Sequence, residues 1–443
     1  MDKIQTKVLS GFMELLPQEQ VEFDRIKGII ADTFRSFGFA AIDTPVIERS
    51  EILLTKGGAE TDKQVYFVQN GMTAKEPNAL AMRFDLTIPL ARYVAEHFGK
   101  LVFPFRRMHI GKVYRGERAQ KGRFREFYQC DIDVIGRNEL SIYYDAELPF
   151  VIYQLFRALD LGKFTIRLNN RKVLNGLFSA LNIAAASADI LRIIDKAEKI
   201  SAEDLLKSFA DAGLDKKQTD SILAFMNIKG DVAQVLADLE NLGIDNEIFA
   251  LGVAELGRVA EIMGQMGIDP AYFAIDLSIA RGLDYYTSTV YETILDDSPN
   301  IGSVCSGGRY DNLAEHYTKE KLPGVGISIG LTRLFDQLRE NGLLKDTKKS
   351  VADVVVIAES GEYMPHAYAI ANALRDAGKN VDVFYEDINM KKKFQYISKK
   401  DAPYTVVCRG DEGGMAVYSL QYKVGEDFRK EVLPITDIVM RVL

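Results

Sequence analysis

Tyr114-Arg115-Gly116-Glu117-Arg118-Ala119-Gln120-Lys121-Gly122-Arg123-Phe124-Arg125-Glu126-Phe127-Tyr128-Gln129-Cys130-Asp131-Ile132-Asp133-Val134 joins a loop crowded with cations to a strand that carries carboxylates. From Phe127 the period is two: Gln129, Asp131 and Asp133 share one face, while Tyr128, Cys130, Ile132 and Val134 share the other. Two carboxylates and an amide on one face need cationic or donor-rich company. The loop supplies Arg115, Arg118, Lys121, Arg123 and Arg125, and arginine forks suit phosphate oxygens and can stack on a base. A solvated charged hairpin is the plainer reading of such a loop. Here the cations sit beside carboxylates that they help to balance, which puts a ligand site ahead. Residues 64–170 mix strands and helices without a βαβ rhythm, which predicts an antiparallel sheet rather than a doubly wound one.

Three further stretches carry chemistry. In Met82-Arg83-Phe84-Asp85-Leu86-Thr87, alternation predicts a strand with Arg83, Asp85 and Thr87 on a polar face that lines a cleft or meets solvent. Phe273 to Ile279 alternates likewise and is expected to run as a strand into Ala280-Arg281-Gly282-Leu283-Asp284-Tyr285-Tyr286-Thr287, a turn bearing a cation, a carboxylate and two phenols. Strand ends often carry a charge, so this octapeptide alone admits a structural reading as well as a ligand-binding one. In Gly324-Val325-Gly326-Ile327-Ser328-Ile329-Gly330-Leu331-Thr332-Arg333-Leu334, small residues alternate with apolar ones before a helix with Arg333 in its first turn. Small residues let a nucleotide approach the backbone. The spacing is neither the GxGxxG of a dinucleotide fold nor that of a P-loop, so both are set aside.

A chain of 443 residues is long enough for two or three domains. Apolar residues at 47% and charged residues at 27% are those of an ordinary globular protein, so nothing calls for disorder, collagen or membrane physics. The opening MDKIQTKVLSGFMELLPQEQ has no apolar leader and no window approaches a membrane span, so a cytoplasmic protein is expected. Cys130, Cys305 and Cys408 form no CxxC pair and the four histidines are scattered, so neither a disulfide framework nor a metal site is expected. The formal charge of -8 does not advertise nucleic-acid binding, so any polyanion must be met by local arginines and lysines.

Residues 18–36 have helical periodicity, and a short strand then runs into Pro45. Residues 172–255 look like an inserted helical module, with segments such as 202–212 and 231–242 joined by glycine turns. Strands resume near 272, and a helix from Gly330 to Glu340 closes a first domain of residues 1–340. Residues 341–350 (NGLLKDTKKS) make a polar linker. Residues 351–443 then alternate strand Ala352 to Ala358, helix His366 to Ala377, strand Val381 to Tyr385, helix Met390 to Lys400 and strand Tyr404 to Cys408, a small α/β domain.

Together these stretches resemble the class II aminoacyl-tRNA synthetases and, along nearly the whole chain, the histidyl-tRNA synthetase family. The segment around Pro45 looks like motif 1, which in the family builds a homodimer interface. Arg115 to Asp133 is similar to motif 2 and Gly324 to Leu334 to motif 3. Arg281 to Tyr286 (RGLDYY) and Ser306-Gly307-Gly308-Arg309-Tyr310-Asp311 match the two histidine-specific signatures. The resemblance implies an α+β fold: an antiparallel-sheet catalytic domain with an inserted helical module, plus a C-terminal α/β anticodon-binding domain.

It also implies a histidine–tRNA ligase, which activates L-histidine with ATP and Mg²⁺ to histidyl-adenylate and then loads the 3′ end of tRNA-His. Asp85, Thr87 and Gln129 would hold the α-ammonium of histidine. Asp133 and Tyr286 would bracket its imidazole, and Tyr310 would complete the pocket. A pocket that selects by hydrogen bonding rejects ligands lacking the group by about 10⁴-fold. Arg115 would grip the α-phosphate, Phe127 would stack on adenine, and Arg123 and Arg333 would hold the outer phosphates and base. Arg281 would be the cationic catalyst between carboxylate and α-phosphorus. Lys391, Lys392, Lys393, Lys399 and Lys400 on one helix of the last domain could meet tRNA phosphates or simply be solvated.

The departures are Asp85 and Asp133 where many bacterial members carry glutamate, Ser288 where glycine is common, and Leu420-Gln421-Tyr422 in place of the more usual Lys-Asp-Leu. The main alternative is a catalytically silent, synthetase-like regulatory subunit of ATP phosphoribosyltransferase. Such relatives typically lose the arginine context of RGLDYY and the C-terminal domain, and this chain keeps both. A class II synthetase for another amino acid fits the fold but not the two signatures.

Overall fold

The structure is a computed structural model and describes residues 4, 6–55, 64–69, 79–118, 122–197, 200–279, 285–344, 350–410, 415–424 and 427–443. Contacts divide the chain into two units, Met1–Met13 with Lys27–Leu344 and Glu14–Ile26 with Lys345–Leu443. Helix Pro17–Ser36 buries Phe23, Ile26, Ile30 and Phe34 at helical spacing.

In the larger unit the strands are β1 (Ala40–Ala41), β2 (Ile47–Arg49), β3 (Phe67–Val68), β4 (Leu80–Met82), β5 (Phe105–Tyr114), β6 (Glu126–Ile135), β7 (Phe164–Asn170), β8 (Phe273–Ile275), β9 (Thr289–Leu295), β10 (Cys305–Tyr310) and β11 (Gly324–Gly330). Eight of them form one sheet in the order β1-β5-β6-β11-β10-β9-β7-β8, and β2, β4 and β3 make a small one. Only the end pairs, β1 with β5 and β7 with β8, are parallel in the large sheet. The other adjacent pairs are antiparallel, as the absent βαβ rhythm predicts.

Register decides what surrounds the polar face of β6. On β5, Arg107 stands opposite Asp133, His109 opposite Asp131 and Gly111 opposite Gln129. On β11, Gly326, Ser328 and Gly330 stand opposite the same three residues. The glycines are conditions of this packing. A Cβ on Gly326 would overlap the Asp133 carboxylate, and one on Gly324 would overlap the Tyr310 ring. The small residues of β11 were expected to admit a nucleotide to the backbone. At Gly324 and Gly326 the space belongs to neighbouring side chains instead, and only Gly330 keeps open room beside a cavity.

Two expected strands are shorter than the alternation suggested. After β4 the chain leaves the ladder at Arg83, and helix Thr87–His97 begins where the alternation still predicted strand. The cause is local: Asp85 Oδ1 accepts from the Ile88 N–H at 3.0 Å, giving one of the helix's unpaired donors a partner. Arg83 to Thr87 are all buried, so no face of this segment meets bulk solvent. Strand β8 likewise stops at Ile275, because Asp276 Oδ1 accepts from the N–H of Ser278 at 3.0 Å and from its hydroxyl at 2.6 Å and so turns the chain.

Helices Arg171–Ala180, Ser187–Lys196, Ala202–Asp211, Lys216–Met226, Val232–Asn241 and Glu247–Gln265 occupy the stretch expected to be helical and extend it to Gln265. Ser201, Asp215, Asp231 and Asn246 cap four of them by accepting backbone N–H bonds. The first and last cross through glycines: a methyl on Gly176 would come within 2.5 Å of the Phe249 nitrogen, and one on Gly252 within 2.6 Å of the Val173 nitrogen.

The smaller unit holds β12 (Val354–Ala358), β13 (Val381–Phe384), β14 (Tyr404–Gly410), β15 (Ala416–Val424) and β16 (Asp427–Val432), in the order β13-β12-β14-β15-β16. Strand β12 is parallel to both neighbours, and β15 and β16 add an antiparallel edge that the sequence reading did not include. Helices Met364–Asp376 and Ile435–Val442 cover one face through Ile370, Leu374 and Ile438, and helix Met390–Lys400 covers the other. Lys393 corrects the expected basic face. It is buried, and its ammonium donates to the Ala358 carbonyl at 2.8 Å, while Lys400 pairs with Asp382 at 2.9 Å. Lys391, Lys392 and Lys399 remain exposed.

The helix crossing generates a test. Gly176→Ala gains helix propensity but must push two backbones apart, so it should lower folding stability by roughly 1–3 kcal/mol. An unchanged urea midpoint would refute the close crossing.

Candidate functional site

One cavity of about 440 Å³ opens on the face of the large sheet that carries Gln129 and Asp131. That is the size of a small-molecule site. Its lining carries two kinds of chemistry: acceptors and phenols from Asp85, Thr87, Gln129, Asp131, Tyr285 and Tyr286, and cations with aromatic rings from Arg115, Arg123, Arg333, Phe124 and Phe127.

The first set is rich in acceptors. Asp85 spends Oδ1 on the helix start, and its buried Oδ2 has no hydrogen-bond partner among the described residues. Gln129 donates through Nε2 to the Ser328 hydroxyl at 2.8 Å, which leaves its buried Oε1 without a partner. Asp131 is 2% exposed, and its Oδ1 is likewise without a partner among the described residues. Burial raises the Asp85 carboxyl to about 6 against the pull of the Ile88 N–H and Arg115. Burial also raises Asp131 to about 7, opposed by Arg107 and reinforced by Asp133.

Next to this set lies a buried ionic cluster. Arg107 is 0% exposed and bonds Asp133 Oδ2 at 2.6 Å, with Asp131 Oδ2 at 4.0 Å. Tyr310 donates to Asp133 Oδ1 at 2.7 Å. Asp133 and Tyr310 thus meet each other behind the cavity and are not among the residues that line it. The other histidine-site residues expected from the sequence, Asp85, Thr87, Gln129 and Tyr286, are brought together on its wall.

In the second set, Arg115 donates from Nε to the Phe84 carbonyl at 3.0 Å, and its guanidinium lies 5.2 Å from the Phe127 ring centroid. Arg123 pairs with Glu117 at 3.2 Å, and Arg333 donates to the Ile301 carbonyl at 2.8 Å. Lys121 and residues 280–284, among them Arg281, lie outside the described residues.

The remainder of the octapeptide is held by the second signature. Thr287 donates its N–H to the Arg309 carbonyl at 2.8 Å and its hydroxyl to Asp311 at 2.6 Å. Arg309 in turn forks onto buried Asp145, with Nε to Oδ1 at 3.0 Å. Tyr286 lies against Gly308, where an added Cβ would stand 2.9 Å from the ring. Burial and the carboxylates of Asp133, Asp131 and Asp85 push the Tyr286 phenol up, which keeps it a neutral donor. Asp131, Arg107 and Ser328 were not assigned a role from the sequence. The face shared with Gln129 was the available signal for Asp131, whereas Arg107 is placed only by the register of β5 on β6.

An antiparallel sheet flanked by helices, with an arginine hairpin and an acidic pocket on one face, is the catalytic fold of class II aminoacyl-tRNA synthetases. The family model described as histidyl-tRNA synthetase matches residues 11–334, and one described as an anticodon binding domain matches residues 353–440. The chain belongs to the histidyl-tRNA synthetase family. It is 51% identical to the histidine–tRNA ligase of Clostridium tetani over 93% of this chain and 92% of that one. A solved histidyl-tRNA synthetase from Nostoc sp. PCC 7120 superposes with a TM-score of 0.89 at 39% identity, covering 100% of both chains. An ATP phosphoribosyltransferase regulatory subunit/histidyl-tRNA synthetase from Bacillus halodurans shares the fold, with a TM-score of 0.75 at 21% identity over 93% of this chain and 100% of that one.

The raised carboxyl predicts a pH dependence. Folded Asp131 keeps its proton up to about 7 against an ordinary 3.8, so its ionisation costs stability as pH rises between those values. Asp131→Asn removes that cost. It should stabilise the ligand-free protein at pH 8 by about 1–4 kcal/mol, and the gain should fade as pH falls through about 7 and vanish below about 4. Urea melts at several pH values decide it, and a gain independent of pH would refute the buried ionisation.

Proposed function

We propose that the chain is a histidine–tRNA ligase. It activates L-histidine with ATP to histidyl-adenylate and pyrophosphate, then transfers histidine to the 3′ end of tRNA-His. One observation carries the reading: a single cavity is lined both by acceptor side chains and phenols and by three arginines with two phenylalanines. An amino acid and a nucleotide fit those two chemistries, with the carboxylate turned toward the α-phosphorus. Identity of 51% to a ligase over most of both chains, together with the retained C-terminal unit, favours catalysis over the regulatory alternative.

In the first step a carboxylate oxygen of histidine attacks the α-phosphorus, and the bond to the leaving pyrophosphate breaks. Asp85, Thr87 and Gln129 hold the α-ammonium, so the carboxylate approaches in one orientation. Tyr286 reads the imidazole, with Asp133 and Tyr310 forming the histidine-selective floor behind it. Arg115 grips the α-phosphate, Phe127 stacks on adenine, and Arg123 and Arg333 hold the outer phosphates and the base. Arg281 is the cation that meets the charge developing at the reacting phosphate. Glu117 and Glu292 line the same cavity and offer the hard oxygen donors that suit Mg²⁺. Mg²⁺ would neutralise charge on the leaving pyrophosphate. In the second step the terminal ribose hydroxyl of the tRNA attacks the acyl carbon and AMP leaves.

We place catalysis in residues 1–340, with the helical module at about 172–255, anticodon binding in residues 351–443, and a linker at 341–350, of which 345–349 lie outside the described residues. A cytoplasmic homodimer, with motif 1 around Pro45 at its interface, completes the proposal. No described helix is long and apolar enough to cross a membrane.

Histidine-dependent ATP–pyrophosphate exchange is the direct test. Exchange with histidine alone among the amino acids is expected, while exchange driven by another amino acid, or none, would overturn the reading. Arg281→Ala should cut adenylate formation by about 10²-fold or more with histidine affinity nearly unchanged. Equal losses in both would remove its transition-state role.

A further inference from the structure

The acceptor set of the cavity holds a carboxylate that the roles above leave unused. Asp131 lies on the polar face of β6 between Gln129 and Asp133 and lines the cavity, whereas Asp133 does not. Arg107 bonds Asp133 at 2.6 Å and stands 4.0 Å from Asp131, so its charge is committed mainly to Asp133. Asp131 is 2% exposed, and its Oδ1 has no hydrogen-bond partner among the described residues. The same holds for Asp85 Oδ2 and Gln129 Oε1, and all three residues line one cavity.

Buried acceptors without donors are costly to hold, and three on residues that line one cavity match in number the N–H bonds of an ammonium. An α-ammonium is such a group. We infer that Asp131 is a substrate-binding residue, its free carboxylate oxygen joining Asp85 and Gln129 to receive the α-ammonium of the amino acid. The inference rests on the reading of the cavity as a histidine site. It assigns the charge that sets an amino acid apart from an imidazole lacking the amino group. The raised carboxyl agrees with it, since burial outweighs the pull of Arg107 and a bound cation would add countercharge.

The test pairs Asp131→Asn with two ligands on the full-length chain: L-histidine, and imidazole-4-propionate, which has the ring and carboxylate but no ammonium. Loss of a charge-assisted hydrogen bond should weaken histidine binding in calorimetry by about 10- to 100-fold. Imidazole-4-propionate, assayed as an inhibitor of exchange, should bind the variant as well as it binds the parent. The KM for ATP should not move, and Asp131→Glu should recover part of the histidine affinity. Unchanged histidine affinity in Asp131→Asn, or an equal loss for both ligands, overturns the ammonium contact while leaving the histidine site standing. Failure of the parent protein to bind histidine overturns the site and the inference together.

Discussion

A single buried guanidinium, Arg107, makes the site possible. With no solvent exposure and a carboxylate at 2.6 Å, it must be paired, because an unmatched charge in that position costs several kcal/mol. Its pairing demands that β5 and β6 align in one register, which sets Arg107 against Asp133 and His109 against Asp131. The cation does not satisfy the whole face. Asp131 lies farther from it, and Asp85 comes in from the start of a helix, so the cavity keeps negative charge and free acceptors. The same cluster that orders the sheet leaves buried acceptors on residues that line the cavity.

Glycines and a second ion pair let that cluster fit. Gly326 and Gly324 clear room for the Asp133 carboxylate and the Tyr310 ring, so the floor is assembled from side chains lying flat across β11. Arg309, fixed by Asp145, holds Thr287 through its carbonyl and so anchors the chain just after Tyr286. The arginine hairpin rises from the far ends of β5 and β6. Thus one pair of strands carries both the acidic face and the arginine hairpin on a single rigid element.

Elements governed by neighbouring residues were legible before the fold was known. The segments expected to be helical at 202–212 and 231–242 fold as helices Ala202–Asp211 and Val232–Asn241, capped by Ser201 and Asp231. The polar face of Gln129, Asp131 and Asp133 followed from alternation alone, and β6 carries it. Arg83 to Thr87 misled because alternation there is real but irrelevant: a capping carboxylate and burial on all sides outweigh it. Strand β16 is charged and largely exposed, held by backbone bonds to β15, so it has no apolar pattern to detect. Lys393 shows the same limit from the other side, since a long stem let a residue of apparently solvated type bury its ammonium against a carbonyl.

By itself the sequence determined the residue types that carry the chemistry, the strands and helices with strong periodicity, the absent βαβ rhythm and the two signatures of the family. These are local properties, written within a few residues of one another. Only the tertiary structure decided that Arg107 commits to Asp133, that Tyr310 closes behind it, and that Asp131 faces the cavity with an oxygen to spare. Those facts depend on strand register and on side chains from β5, β6, β10 and β11 sharing one buried volume. In that volume electrostatic pairing and steric exclusion act between residues as far apart as Tyr310 and Asp133, at 177 positions, and Gln129 and Ser328, at 199, beyond the reach of any local pattern.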